Sequence, residues 1–189
     1  MKRMLLFRHG LSEGNVNPDL YDHIPDLHID LTPEGEDQAI KAGDCLNTWL
    51  TSQKAKWHVL KSPALRAVKT GEKALSKIDE KHLLGISKHP FLIERQFGKF
   101  GTPLESRQDV IGRAFHILNH IQSFDNVLLF SHGMTIKCIV AAFLGKDPSY
   151  LDTELDPKNC SIRFLESGQD KGYIFDGFGP DEILTFEGF

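Results

Sequence analysis

Two histidines carry the first chemical signal. His9 and His132 each close an apolar run and each precede a glycine, in Leu5-Leu6-Phe7-Arg8-His9-Gly10 and Leu128-Leu129-Phe130-Ser131-His132-Gly133, two stretches that differ at one position. A buried strand that ends in polar residues delivers them to the carboxyl edge of an open α/β sheet, where such sheets bind ligands. Arg8, Asn15, Arg66 and Glu94 are expected at the same edge. Two guanidiniums suit a dianionic oxygen cluster, because their forked donors meet phosphate oxygens in pairs. Neutral imidazole is a good nucleophile near pH 7, and flanking cations hold His9 neutral. Glycine after each histidine, Gly133 included, leaves room for backbone to approach a ligand. The combination points to phosphoryl transfer through a phosphohistidine, with positioning and charge stabilisation as the protein's main tasks.

The elements that must position these groups follow from apolar patterning. Residues 2–7 read as the first strand, and Arg8 to Asp30 as a long polar loop that brings Ser12, Asn15, His23 and His28 within reach of a ligand. Thr32-Pro33 starts a helix running to about Leu50, with Thr32 as N-cap. A strand over 57–60 and a helix from about Ala64 come next, with Arg66 in its first turn. The stretch 90–93 reads as extended, leading to a turn near Gly98 and Gly101. Leu104 to Phe124 is a clear amphipathic helix, with Glu105 as its capping acid. Strand 126–130, helix 134–144 and a short turn at Asp147-Pro148 follow. Two strands over 160–165 and 173–178, antiparallel and near an edge, end the readable part. The expectation is one α/β domain over 1–189: a mainly parallel central sheet with helices on both faces.

Leu6-Phe7-Arg8-His9-Gly10, with Ser12 and Asn15 after it, resembles the signature of the histidine phosphatase superfamily, the phosphoglycerate-mutase-like proteins. Ser62-Pro63-Ala64-Leu65-Arg66-Ala67 resembles that family's second arginine segment. Glu94-Arg95-Gln96-Phe97-Gly98 resembles its Glu-Arg-x-aromatic-Gly segment, and Ser131-His132-Gly133 its second histidine. Four segments in the family's order are a specific signal where Arg-His-Gly alone is not. The resemblance implies that His9 takes up the phosphoryl group and that Arg8, Arg66 and His132 bind its oxygens. Asn15, Ser12 and Gly133 would assist in phosphate binding. Glu94 would be general acid for the leaving oxygen and then general base for water, a task that wants its pKa raised by partial burial. No metal and no other cofactor is implied; the arginines stand where other phosphoryl-transfer sites use Mg²⁺.

Leu11 stands where the family commonly has Glu or Gln, and Gln96 where the mutases carry His. Only 37 residues separate Glu94 from His132, which implies a reduced lid insertion at about 95–108 and an open pocket. A mutase must exclude water, so the expected activity is phosphomonoester hydrolysis. A cofactor-dependent phosphoglycerate mutase and a non-catalytic phosphate-ligand module are the alternatives. The expected partner is a small phosphorylated substrate, a phosphoprotein included; oligomeric state is not readable. Three cysteines without metal spacing read as reduced core residues of a cytoplasmic protein. A net charge of −4 argues against general nucleic-acid binding, and no apolar run approaches a membrane span. His116 and His120 share a helical face but have no third ligand nearby in sequence, so a metal is not expected there. Ser131 lacks a nucleophile elbow and reads as a strand residue.

Overall fold

The computed structural model describes residues 2–98 and 101–179. They form a six-stranded sheet in the order β3-β2-β4-β1-β5-β6. Strand β1 spans Arg3–Arg8, β2 Trp57–Lys61, β3 Leu83–Lys88, β4 Asn126–Ser131, β5 Ile162–Glu166 and β6 Gln169–Phe175. The first four strands are mutually parallel, while β5 joins β1, and β6 joins β5, in antiparallel fashion. The helices are α1 (Glu13–Val16), α2 (Pro33–Gln53), α3 (Leu65–Leu75), α4 (Arg107–His120), α5 (Gly133–Leu144) and α6 (Tyr150–Thr153).

Alternation along the central strands sorts their side chains between two cores, because successive residues of a strand point to opposite faces. Met4, Leu6, Val127 and Leu129 pack with Val110, Ala114 and Ile117 of α4 and Ile136, Ile139 and Val140 of α5. Leu5, Phe7, Leu128 and Phe130 pack on the other face with Ala39, Ala42, Leu46 and Leu50 of α2 and Ala74 of α3. Phe7 and Phe130 meet across the β1–β4 pair, with ring centroids 4.7 Å apart. Both faces are therefore covered, which is why these strands read as unbroken apolar runs.

Helix ends follow the expected chemistry. The Thr32 hydroxyl accepts from the Gly35 amide at 2.9 Å, and Pro33 takes the first helical position. Gly145 closes α5 in the left-handed region at φ 62°, and Lys146 N donates back to Ala141 O at 2.9 Å.

Several sequence expectations need correction. Strand β3 was not anticipated: Leu84, Gly85, Ile86, Ser87 and Lys88 are all exposed on this edge strand, so no buried apolar run announces it. Residues 90–92 form a 3-10 turn, capped by the His89 ring accepting from Phe91 N at 3.3 Å, rather than an extended segment. The long helix starts at Arg107, three residues after Leu104, and stops at His120 before a separate 3-10 turn. Its cap is Ser106, in a reciprocal pair with Asp109, and not Glu105. The 8–30 loop contains α1 and two 3-10 turns. The last strand lies at 169–175, four residues earlier than its expected start. The expected turn near Gly98 and Gly101 includes residues outside the described ones, as do the last ten residues of the tail.

Candidate active site

The sheet register brings the two histidine stretches together. Phe7 lies opposite Phe130 and Arg8 opposite Ser131, and His9 N donates to Ser131 O at 3.0 Å. The His9 and His132 rings lie 5.1 Å apart between centroids. Strand β2 flanks β4 on its other side, and Ser62 N donates to Phe130 O at 2.9 Å, so α3 begins beside the same edge. Arg66, in the first turn of α3, is 1 % exposed. Thr70 ties the two walls together: its hydroxyl donates to Arg66 O at 2.7 Å and accepts from Gly10 N at 3.0 Å.

His9 is held as a neutral ring with one free nitrogen. Its Nδ1 lies 2.7 Å from the Gly10 carbonyl, which can only accept, so Nδ1 carries the proton and Nε2 the lone pair. Burial first, then Arg66 and Arg8, hold its pKa well below the ordinary histidine value. His132 is shifted the same way by burial, Arg66, His9 and Arg8. His132 Nε2 lies 2.8 Å from the Ser62 hydroxyl, whose oxygen also accepts from Ala64 N at 3.3 Å. In the tautomer in which Ser62 donates to Nε2, the ring proton of His132 sits on Nδ1.

Among the described residues, four buried side-chain nitrogens make no hydrogen bond, and three belong to this cluster: Arg8 Nε, Arg66 Nε and His132 Nδ1. Buried polar groups in folded proteins are normally paired. Three unpaired buried nitrogens gathered beside the His9 ring are a set that could receive an anion.

Glu94 sits over the amino terminus of α5. Its Oε2 accepts from Met134 N at 3.1 Å and its Oε1 from Thr135 N at 3.2 Å and Arg95 N at 2.7 Å. These bonds and the two arginines favour the carboxylate, yet burial is the larger effect and raises its pKa above the ordinary glutamate value. A Cβ added at Gly133 would lie 3.7 Å from Glu94 Oε2 and 3.8 Å from Arg8 Nε, which places Gly133 between the two. Gly10 has a different reason. A Cβ there would come within 2.4 Å of the Gly35 carbonyl, so close packing of β1 against α2 demands it rather than ligand approach.

Ser12 and Asn15 spend their bonds on each other in the capping box of α1, and Asn15 Oδ1 also accepts from Asn159 Nδ2 at 3.3 Å. Ser131 is buried and donates to Leu92 O at 2.8 Å, which gives it a structural partner. His116 rests against Phe91 and His120 against His89, so the two serve different contacts. No group of three or more His, Cys, Asp or Glu with metal-holding geometry occurs among the described residues. None of their helices is long and apolar enough to cross a membrane.

Three neighbours were not foreseen. Asp26 holds Arg66, accepting from Nη1 on its carbonyl at 2.7 Å and from Nη2 on its carboxylate at 2.9 Å. Tyr21 lies close enough to Arg66, Asp26 and Glu94 to feel their charges. Arg113 braces the Glu94 segment: it pairs with both Glu105 oxygens at 2.6 and 2.8 Å and donates to the carbonyls of Phe91 and Ile93 at 2.6 and 3.1 Å. Sequence offered no signal for Asp26 or Tyr21, which arrive by the path of a loop. Arg113 is an ordinary α4 residue until tertiary contact gives it partners.

Comparison with known proteins finds relatives of this chain. Residues 4–103 and 100–175 match the family model described as histidine phosphatase superfamily, branch 1. Two Arabidopsis thaliana proteins named phosphoglycerate mutase-like, AT74H and AT74, are each 25 % identical; the alignments cover 92 and 91 % of this chain and 77 and 67 % of theirs. A mycobacterial glucosyl-3-phosphoglycerate phosphatase in complex with VO3 superposes with a TM-score of 0.69 at 20 % identity, covering 88 % of this chain and 93 % of that one. An Entamoeba histolytica phosphoserine phosphatase in complex with phosphoserine gives 0.67 at 18 % identity, over 93 and 98 % of the two chains.

Proposed function

The chain belongs to branch 1 of the histidine phosphatase superfamily, and from that premise we propose that it is a phosphatase that hydrolyses phosphomonoesters through a phosphohistidine on His9. The observation that carries the reading is the convergence of Arg8, Arg66 and His132, each with an unpaired buried nitrogen, on a histidine that presents a lone pair. Arg8 and Arg66 meet the charge of the phosphoryl oxygens, and His132 adds a donor from Nδ1.

In the first step His9 Nε2 attacks phosphorus, the bond from phosphorus to the ester oxygen breaks, and protonated Glu94 gives its proton to the leaving oxygen. In the second, water attacks the phosphohistidine, the P–N bond breaks, and the Glu94 carboxylate takes a proton from the water. Orthophosphate leaves, with His9 and Glu94 restored. Burial of Glu94 keeps the acid form available nearer neutrality than a free carboxyl would allow. On this reading Ser12, Asn15 and Gly133 assist in phosphate binding; the capping box of Ser12 and Asn15 fixes the short helix α1 that follows His9. Water is the favoured acceptor, because Glu94 opens onto a cavity of about 1060 Å³ between residues 18–27 and the short segment after Glu94. A site that open cannot protect a phosphoenzyme from hydrolysis.

Rapid quench into alkaline detergent during turnover of an aryl phosphate tests the reading. Alkali-stable, acid-labile phosphate on His9 is expected, with release of orthophosphate. Turnover in His9→Ala at the wild-type rate overturns it, and rapid interconversion of 3- and 2-phosphoglycerate without net hydrolysis reassigns the acceptor.

A further inference from the structure

Glu94 lies in a stretch that no regular element holds. Between Leu92 and Arg107 the described residues contain no α-helix, and no β-strand apart from the isolated bridge of Phe97 with Pro103. The amides of Met134, Thr135 and Arg95 tether the tip of the Glu94 side chain. A functional group held at its tip is aimed reliably only if surrounding contacts fix its main chain as well.

Arg113 and Glu105 supply that fixing. The Arg113 guanidinium has every N–H group in use. Its Nε donates to Glu105 Oε1 at 2.6 Å, and its Nη2 to Glu105 Oε2 at 2.8 Å and Glu94 O at 3.4 Å. Its Nη1 donates to the carbonyls of Phe91 and Ile93 at 2.6 and 3.1 Å. Beyond Glu94 the partner takes over: Glu105 Oε2 accepts from Gln96 N at 3.2 Å, and Glu105 O from Arg95 Nε at 2.8 Å. Ser131 and Thr135 also hold the carbonyls of Leu92 and Ile93. Among the described residues, only Arg113 and Glu105 hold the Glu94 carbonyl and the Gln96 amide. The two side chains are 12 and 16 % exposed, so this is not a solvated surface bridge of little consequence. Their hydrogen bonds go to residues 91–96 and to each other, whereas Arg8, His9, Arg66 and His132 are carried by β1, α3 and the β4–α5 junction.

On the reading of Glu94 as the general acid of a phosphatase, we infer that Arg113 and Glu105 are a positioning pair, which aims the Glu94 carboxyl at the leaving oxygen by fixing the main chain on both sides of it. The planar fork of arginine is needed for this. Lysine in place of Arg113 keeps the charge but, as a point donor, cannot span the Glu105 carboxylate and the carbonyls of Phe91, Ile93 and Glu94 together. The step that depends on the pair is proton delivery. Its loss therefore appears where the leaving oxygen needs a proton and is small where it does not.

The test compares kcat/KM for an alkyl phosphate, whose leaving oxygen needs a proton, with that for nitrophenyl phosphate, whose leaving group does not. In Arg113→Gln and Arg113→Lys the alkyl ester should lose about 10- to 100-fold and the nitrophenyl ester less than about threefold, with the inhibition constant of orthophosphate within about twofold of wild type. Glu105→Gln should show the same selectivity at smaller size. Arg113→Gln added to Glu94→Gln should cost the alkyl ester little more, because the group it aims is already gone. Equal losses for the two esters, no loss in folded Arg113 variants, or full additivity with Glu94→Gln overturns the inference and leaves the phosphatase reading standing. If Glu94→Gln itself loses both esters equally, Glu94 is not the acid and the inference falls with that assignment. If wild type hydrolyses neither ester, the phosphatase reading fails and the inference with it. Should the Arg113 variants not fold, Glu105→Gln decides alone: an unchanged ratio between the two esters overturns the inference.

Discussion

On the proposed reading a substrate phosphate competes with Asp26 for the Arg66 guanidinium, so removing the Asp26 charge while keeping its shape has a calculable consequence. Arg66 is 1 % exposed and the Asp26 side chain 39 % exposed, with 2.9 Å between Nη2 and Oδ1. Two unit charges about 4 Å apart attract by about 1 kcal/mol in water and about 4 kcal/mol at an effective dielectric of 20. The exposed partner places the pair in the lower part of that range, about 1–2 kcal/mol after solvent screening. Asp26→Asn keeps an oxygen for Nη2 and leaves the main-chain bond to Nη1 untouched, so only the Coulombic competition is lost. Orthophosphate, which must displace that carboxylate, is then expected to bind about 5- to 30-fold more tightly. Titration calorimetry with orthophosphate, or its inhibition constant against an aryl phosphate, reads this directly. The gain should fall as salt is raised, because the pair reaches solvent. If Asp26→Asn binds phosphate more weakly than wild type, Asp26 aims Arg66 at the ligand rather than competing for it, and the reasoning is wrong.

Other outcomes follow from the same geometry. The kcat/KM profile should fall on the acid side as His9 takes a proton, at a pH below the ordinary histidine range, and on the alkaline side as Glu94 loses one, at a pH above the ordinary glutamate range; an acid limb at or above the ordinary histidine range, or an alkaline limb at or below the ordinary glutamate range, contradicts the corresponding shift. Glu94→Gln should cut kcat by about 10²- to 10⁴-fold for alkyl phosphates, which need a proton on the leaving oxygen, and far less for nitrophenyl phosphate; equal losses for both remove Glu94 from the acid role. His9→Ala should abolish acid-labile phosphate and lower turnover by about three orders of magnitude, and wild-type turnover should persist in EDTA. Gly10→Ala should lower stability by about 1–3 kcal/mol in chemical denaturation, since its Cβ would sit 2.4 Å from the Gly35 carbonyl oxygen; an unchanged midpoint shows that α2 moves aside freely.

What the sequence determined by itself is the framework of the site. The runs before His9 and His132 are apolar at every position because both faces of β1 and β4 are buried, and a strand of that kind can be recognised without coordinates. The helix starts at Thr32 and the stop at Gly145 rest on local capping chemistry, which neighbouring residues alone decide. Edge strand β3 was illegible for the converse reason: with one side and most of its residues exposed, it needs no apolar pattern, only a free neighbour in β2 to pair with. Tertiary structure alone decided which groups surround Arg66 and Glu94. The grip of Asp26 on Arg66, the place of Tyr21 beside Arg66 and Glu94, and the brace of Arg113 on the Glu94 segment join residues 20 or more positions apart with no periodicity to announce them. The hollow beside Glu94 belongs with these: residues 18–27 and residues 94–98 are distant in sequence and line it together only in the folded chain.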